Sequence, residues 1–123
     1  MSLKGYRDLE VWKKAMDLVV ECYRVTEKFP KREGYGLTSQ LQRAAVSIPA
    51  NIAEGKERKH IKEYLQHLSI AYGSLAELET HLQIAARLNY LGEDNAKNLL
   101  DKTGEIARMI NGLRKALEKN TNS

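Results

Sequence analysis

Apolar residues recur along this chain at alternating steps of three and four, the spacing of one helix face. Four segments carry the pattern. The first covers residues 9–29, with Asp8 as N-cap and Pro30 as stop. Within it, Leu9, Trp12, Met16, Val19 and Tyr23 form one stripe. Val11, Ala15, Leu18, Cys22, Val25 and Phe29 form a second, about 100° round the helix. One stripe suffices for a bundle core. Two leave a choice between a wide core contact and a second interface that would make the protein an oligomer. On the oligomer reading, the interface candidates are the six residues of the second stripe.

The second helix is expected from residue 38 or 39 to 54, with Leu37, Leu41, Ala44, Ala45, Ile48 and Ile52 inward. Pro49 lies inside it, which predicts a kink or break near residues 45–48, and Gly55 is expected to end it. The third covers residues 61–89 on a stripe of Ile61, Leu65, Leu68, Tyr72, Leu75, Leu82 and Ala86, broadened by Tyr64, Ala71, Leu78 and Ala85. Gly92 is a turn and Asp94 a cap candidate for the fourth, residues 95–119. Its stripe is Ala96, Leu99, Thr103, Ile106, Ile110, Leu113 and Leu117. Gly73, Gly104 and Gly112 suggest close helix crossings, and the tail from Asn120 is expected to fray. The connections are short, so neighbouring helices should be antiparallel. The expected fold is a single all-α domain over residues 1–123, an up-down-up-down four-helix bundle.

Composition adds limits. Apolar residues make up 42% and charged residues 29%, enough apolar content for a packed core. One cysteine excludes an intrachain disulfide. No run of about 18 apolar residues is present, so no membrane span is expected. The first ten residues lack an apolar signal core, and a cytoplasmic location is expected.

The net charge of +4 is unevenly distributed. In the expected topology one end holds three segments. Residues 1–14 carry Lys4, Arg7, Lys13 and Lys14 against two carboxylates. Residues 56–62 carry Lys56, Arg58, Lys59 and Lys62 against one, and residues 113–119 carry Arg114, Lys115 and Lys119 against one. That end sums to +7, the opposite end to +2 and the waist to −5. A one-ended basic concentration suits phosphate-backbone binding; the competing reading is solvated helix ends. Of six tyrosines, Tyr23, Tyr64 and Tyr72 fall on apolar stripes, leaving Tyr6 and Tyr35 free to stack on bases. Binding should therefore be salt-sensitive and weakly sequence-specific.

Candidate chemistry is sparse, and no enzyme activity, cofactor or metal is expected. His60, His67 and His81 share one heptad phase, and Glu63 and Glu77 each precede a histidine by four residues. A two-metal bundle needs Glu-x-x-His on two helices, and the other three helices contain no histidine, so these read as surface helix pairs. Cys22 reads as a small core residue. Gly34-Tyr35-Gly36 is a turn without a phosphate-loop motif. Gln40, Arg43, Ser47, Asn51 and Glu54 line one polar face of the second helix. That face reads as a hydrated or interfacial stripe, with Arg43 paired to Glu77 or Glu79, or else as a polar channel or partner groove.

Two stretches carry a resemblance: Tyr6-Arg-Asp-Leu-Glu-Val-Trp-Lys-Lys-Ala15 and Tyr35-Gly-Leu-Thr-Ser-Gln-Leu-Gln-Arg-Ala-Ala-Val-Ser-Ile-Pro-Ala-Asn-Ile-Ala-Glu-Gly55. Ala71-Tyr-Gly-Ser-Leu-Ala-Glu-Leu-Glu79 supports it. Together they resemble the four-helix-bundle family of 23S rRNA intervening-sequence proteins, over about residues 6–91. The resemblance implies an antiparallel bundle assembled as a cyclic homopentamer. A related member, the accessory variability protein of diversity-generating retroelements, implies nucleic acid and a reverse transcriptase-like enzyme as partners. Five subunits would carry +20, five times +4, with their basic ends in one ring. The alternative function is a protein scaffold for a nucleic-acid-handling enzyme; a metal-binding bundle is the third.

Overall fold

The computed structural model describes residues 5–121, which form four helices and two single 3-10 turns, with no strand among them. Helix α1 is Glu10–Thr26, α2 Leu37–Lys56, α3 Ile61–Arg87 and α4 Glu93–Thr121. Lys4 and residues 122 and 123 lie outside the described residues. Asn120 and Thr121 continue α4 rather than leaving it.

The helix ends follow local chemistry. Asp8 belongs to a 3-10 turn, and Leu9, in extended conformation, takes the N-cap position of α1. The last turn of α1 closes at Thr26, whose hydroxyl donates to the Cys22 carbonyl (2.9 Å) and accepts from Gln42 Nε2 (3.0 Å). Phe29 stays buried but falls after the helix. The end of α3 has Asn89 in the left-handed region at φ 63°, with Tyr90 N–H on Ala85 O and Asn89 N–H on Ala86 O. This double bond pattern satisfies carbonyls that the helix end leaves open.

The break expected at Pro49 and the roles expected of the glycines are corrected. Helix α2 passes through Pro49 without a break. Pro49 is itself buried, and Leu41, Ala45, Ile48 and Ile52 enter the core on both sides of it, so packing holds the helix across the lost bond. Gly55 does not end the helix; it is buried where α2 crosses α3, and a Cβ there would sit 2.7 Å from His67 Cβ. Conversely, a Cβ on Gly73 or Gly112 would meet nothing within 4 Å, and one on Gly104 only the Arg108 guanidinium at 3.5 Å. No close crossing forms at those three.

One core runs through all four helices. α1 packs beside α2 and α4, and α3 beside the same two, so the helices form a ring of four. The second stripe of α1 faces inward: Val11, Ala15, Leu18, Cys22 and Phe29 are buried and Val25 partly so. These side chains are covered by this chain's own helices and offer no surface to another subunit. The first stripe is split: Leu9, Trp12 and Val19 pack partly buried against the core, while Met16 at 40% and Tyr23 at 45% are exposed beside Val20 at 46%. On α3 the buried line is Tyr64, Leu68, Ala71, Leu75, Leu78, Leu82 and Ala85; Tyr72, expected inside, is exposed.

Candidate nucleic-acid interface

The turn between α2 and α3 gathers the densest basic segment. Lys56 ends α2, Arg58 N–H closes onto Gly55 O at 3.1 Å, and His60 holds the N-cap position of α3. The backbone N–H groups at the start of α3 carry partial positive charge, which adds to that of Lys59 and Lys62. The start of the chain joins this turn, since a Cβ on Gly5 would lie 2.8 Å from the Glu57 carboxylate and 3.4 Å from Lys56.

The eleven basic candidates divide by their partners. Lys13 pairs with Glu10, Lys14 with Glu105 on α4, and Arg58 with Glu54. Arg7 lies over the Tyr6 ring. Arg114 is partly buried over Tyr72, midway along α3 rather than at the 56–62 turn. Lys56, Lys59, Lys62, Lys115 and Lys119 are exposed and form no ion pair within 4.0 Å among the described residues. Of the eleven candidates, these five lysines are the ones left exposed and unpaired.

The polar stripe of α2 is occupied by cross-helix bonds. Ser47 Oγ meets Ser74 Oγ of α3 at 2.8 Å, and Asn51 Nδ2 donates to the Ser47 carbonyl (2.9 Å) and Oγ (3.0 Å). Asn51 Oδ1 then faces His67 Nδ1 at 3.0 Å, and His67 Nε2 lies 3.3 Å from the Glu54 carboxylate. The result is a ladder from Ser74 to Arg58 that pins α2 to α3. Sequence reasoning had the α2 half of it. The missed half, His67 and Ser74, was signalled by their seven-residue spacing on α3. Gln40 and Arg43 lie beyond the ladder on an open groove of about 270 Å³ with Ala44 and Glu77. Arg43 reaches neither Glu77 nor Glu79 within 4.0 Å; Glu79 accepts the Thr103 hydroxyl instead.

The expected helix pairs Glu63–His67 and Glu77–His81 do not form. His67 turns to α2, and both ring nitrogens of His81 are buried without a hydrogen-bond partner. Among the described residues no cluster of three or more His, Cys, Asp or Glu side chains is placed to hold a metal ion. Burial, with the Glu21 charge adding to it, pushes the Cys22 thiol up to about 12. Burial and Glu57 likewise raise Tyr64, whose hydroxyl is unpartnered. Of the two tyrosines expected free, Tyr35 is fully exposed, while Tyr6 packs edge-on against Trp12 at 5.1 Å. No helix among the described residues is long and apolar enough to cross a membrane.

The same four-helix fold occurs in a solved protein of unknown function from the S23 ribosomal protein family of Bacteroides thetaiotaomicron VPI-5482. The two superpose with a TM-score of 0.77 at 21% identity, covering 85% of this chain and 98% of that one. Residues 7–112 match the family model described as 23S rRNA-intervening sequence protein, and the chain belongs to that family. No curated protein matches it.

Proposed function

We infer that the protein is a non-enzymatic, homo-oligomeric, antiparallel four-helix bundle that binds RNA or DNA through its lysine-rich end. The observation that carries this reading is the set of exposed lysines without ion pairs, densest at the α2–α3 turn. An unpaired surface lysine can neutralise a phosphate and release its counterion without first breaking a bond within the protein. The antiparallel arrangement is supported by contact order: Ser47 meets Ser74 while Asn51 meets His67, and Lys14 meets Glu105 while Glu21 meets Lys102. Assembly as a pentamer is proposed from the family resemblance. Met16, Val20 and Tyr23 on the outer face of α1 supply an apolar surface for it. Kinship with the accessory variability protein, and a cytoplasmic location, belong to the same proposal.

The test is retention of labelled RNA and DNA at low salt. The parent should bind and lose affinity steeply as salt rises. K56E/K59E/K62E should abolish retention and keep its helical content and oligomeric state. Equal binding by this variant and the parent would remove the lysine-end mechanism. The exposed apolar face also suits a second reading, a scaffold for a nucleic-acid-handling enzyme. That reading expects a protein partner whose capture survives nuclease treatment.

A further inference from the structure

Among the described residues, Tyr35 stands apart from every other large apolar side chain. It is 103% exposed, as open as in an extended peptide, while the next most exposed large apolar residue, Leu88, is at 49%. This openness is not looseness of the turn. Gly34 N–H bonds to Lys31 O at 3.0 Å, Gly36 N–H to Glu33 O at 2.9 Å, and Gln40 N–H to Gly36 O at 3.0 Å. Glu33 fastens the turn further, taking the Leu37 N–H on one carboxylate oxygen and the Tyr90 hydroxyl on the other. The ring is thus presented by an ordered backbone, between two glycines that have no side chain to shield it.

The surroundings state what chemistry the ring would meet. From Lys28 to Gly36 the chain carries Lys28, Lys31 and Arg32, all exposed, against the single carboxylate of Glu33. Bonded on both oxygens, that carboxylate keeps its charge, and Arg32 donates to the Tyr90 hydroxyl at 3.3 Å, so the segment is net +2, three cations against one carboxylate. An open aromatic face on a net basic segment matches a ligand with exposed π-faces on a polyanionic backbone. The geometry points to Tyr35 as a stacking platform for an unpaired nucleobase, with Lys28, Lys31 and Arg32 holding the flanking phosphates of a single strand. It rests on the nucleic-acid reading and adds a second contact surface, away from the α2–α3 turn. A duplex, whose bases are already stacked, would gain only the phosphate contacts.

The experiment compares oligothymidylate, an abasic strand of equal length and a duplex, bound at one low salt concentration to the full chain. For the parent and Tyr35→Phe, the oligothymidylate should bind more tightly than the abasic strand, because the ring face and not the hydroxyl is used. Tyr35→Ala should weaken oligothymidylate about tenfold and leave the abasic strand unchanged. The side chain is fully exposed, so the variant keeps its fold, checked by circular dichroism. Equal affinity of Tyr35→Ala and parent for oligothymidylate, with binding intact, overturns the stacking site and leaves the lysine-end reading standing. Absence of binding by the parent to all three probes overturns both. A changed oligomeric state in Tyr35→Ala would mean that a second copy covers the ring, which also overturns the proposal.

Discussion

Gly55 and Gly73 both lie inside helices, yet a methyl group added to each has opposite consequences. At Gly55 it would press on His67 Cβ at 2.7 Å and on the Tyr64 ring at 3.0 Å. Gly55→Ala should therefore cost about 1–3 kcal/mol, whereas Gly73→Ala, with open space, should gain up to about 1 kcal/mol. Urea unfolding midpoints check this; a shift in the same direction for both would contradict the close crossing. Tyr64 and Cys22 give the fold an alkaline weakness. Cys22 ionises near 9.0 when unfolded but only near 12 when folded. Its contribution is whole below pH 9.0 and declines toward about 12, because the unfolded state releases its proton first. Tyr64, also raised, acts in the same direction. The melting temperature should fall across that alkaline range, and Cys22 should resist alkylation until the chain unfolds.

At the scale of the element, α2 does two jobs. Its apolar side joins the core on both sides of Pro49, and its polar side builds the ladder to α3. Ser47→Ala leaves the buried Ser74 hydroxyl without this partner, and Ser74→Ala does the same to Ser47. Each single change should cost about 1–2 kcal/mol, and the double change less than their sum. A double-mutant cycle by denaturant titration measures the difference, and strict additivity would mean that the 2.8 Å contact contributes nothing. The period of three and four made α2 legible as a helix. It could not show that Pro49 would be carried through, because the compensating contacts come from residues distant in sequence.

The whole molecule separates the buried stripe of α1 from the exposed Met16, Val20 and Tyr23 by consequence. Leu18 is buried among the four helices, so Leu18→Ala should destabilise the chain by about 2–5 kcal/mol through lost contacts and a cavity. Met16→Glu and Val20→Glu lie on the outer face and should change the fold's stability little, while reducing the oligomeric mass in sedimentation or light scattering. Unchanged mass in both would remove this face as the assembly surface. Charge behaves similarly. The sequence placed eleven cations near one end, but contacts withdrew Lys13, Lys14, Arg58 and Arg114 into bonds within the chain. Of those eleven, five described lysines remain for an outside ligand.

Helix number, approximate helix limits, the inward line of α4 and the basic segment at residues 56–62 were determined by the sequence alone. Each depends on residues within a few turns of one another, and local periodicity and charge carry that information. Tertiary structure decided which α1 stripe faces inward, which glycine marks a crossing, and which cations stay unpaired. It also decided that His67 binds α2 while His81 stays orphaned and Tyr35 fully open. These outcomes depend on how side chains of separate helices meet. Two stripes 100° apart look equally apolar in sequence, and only the positions of α2 and α4 decide that one is buried and the other only partly covered.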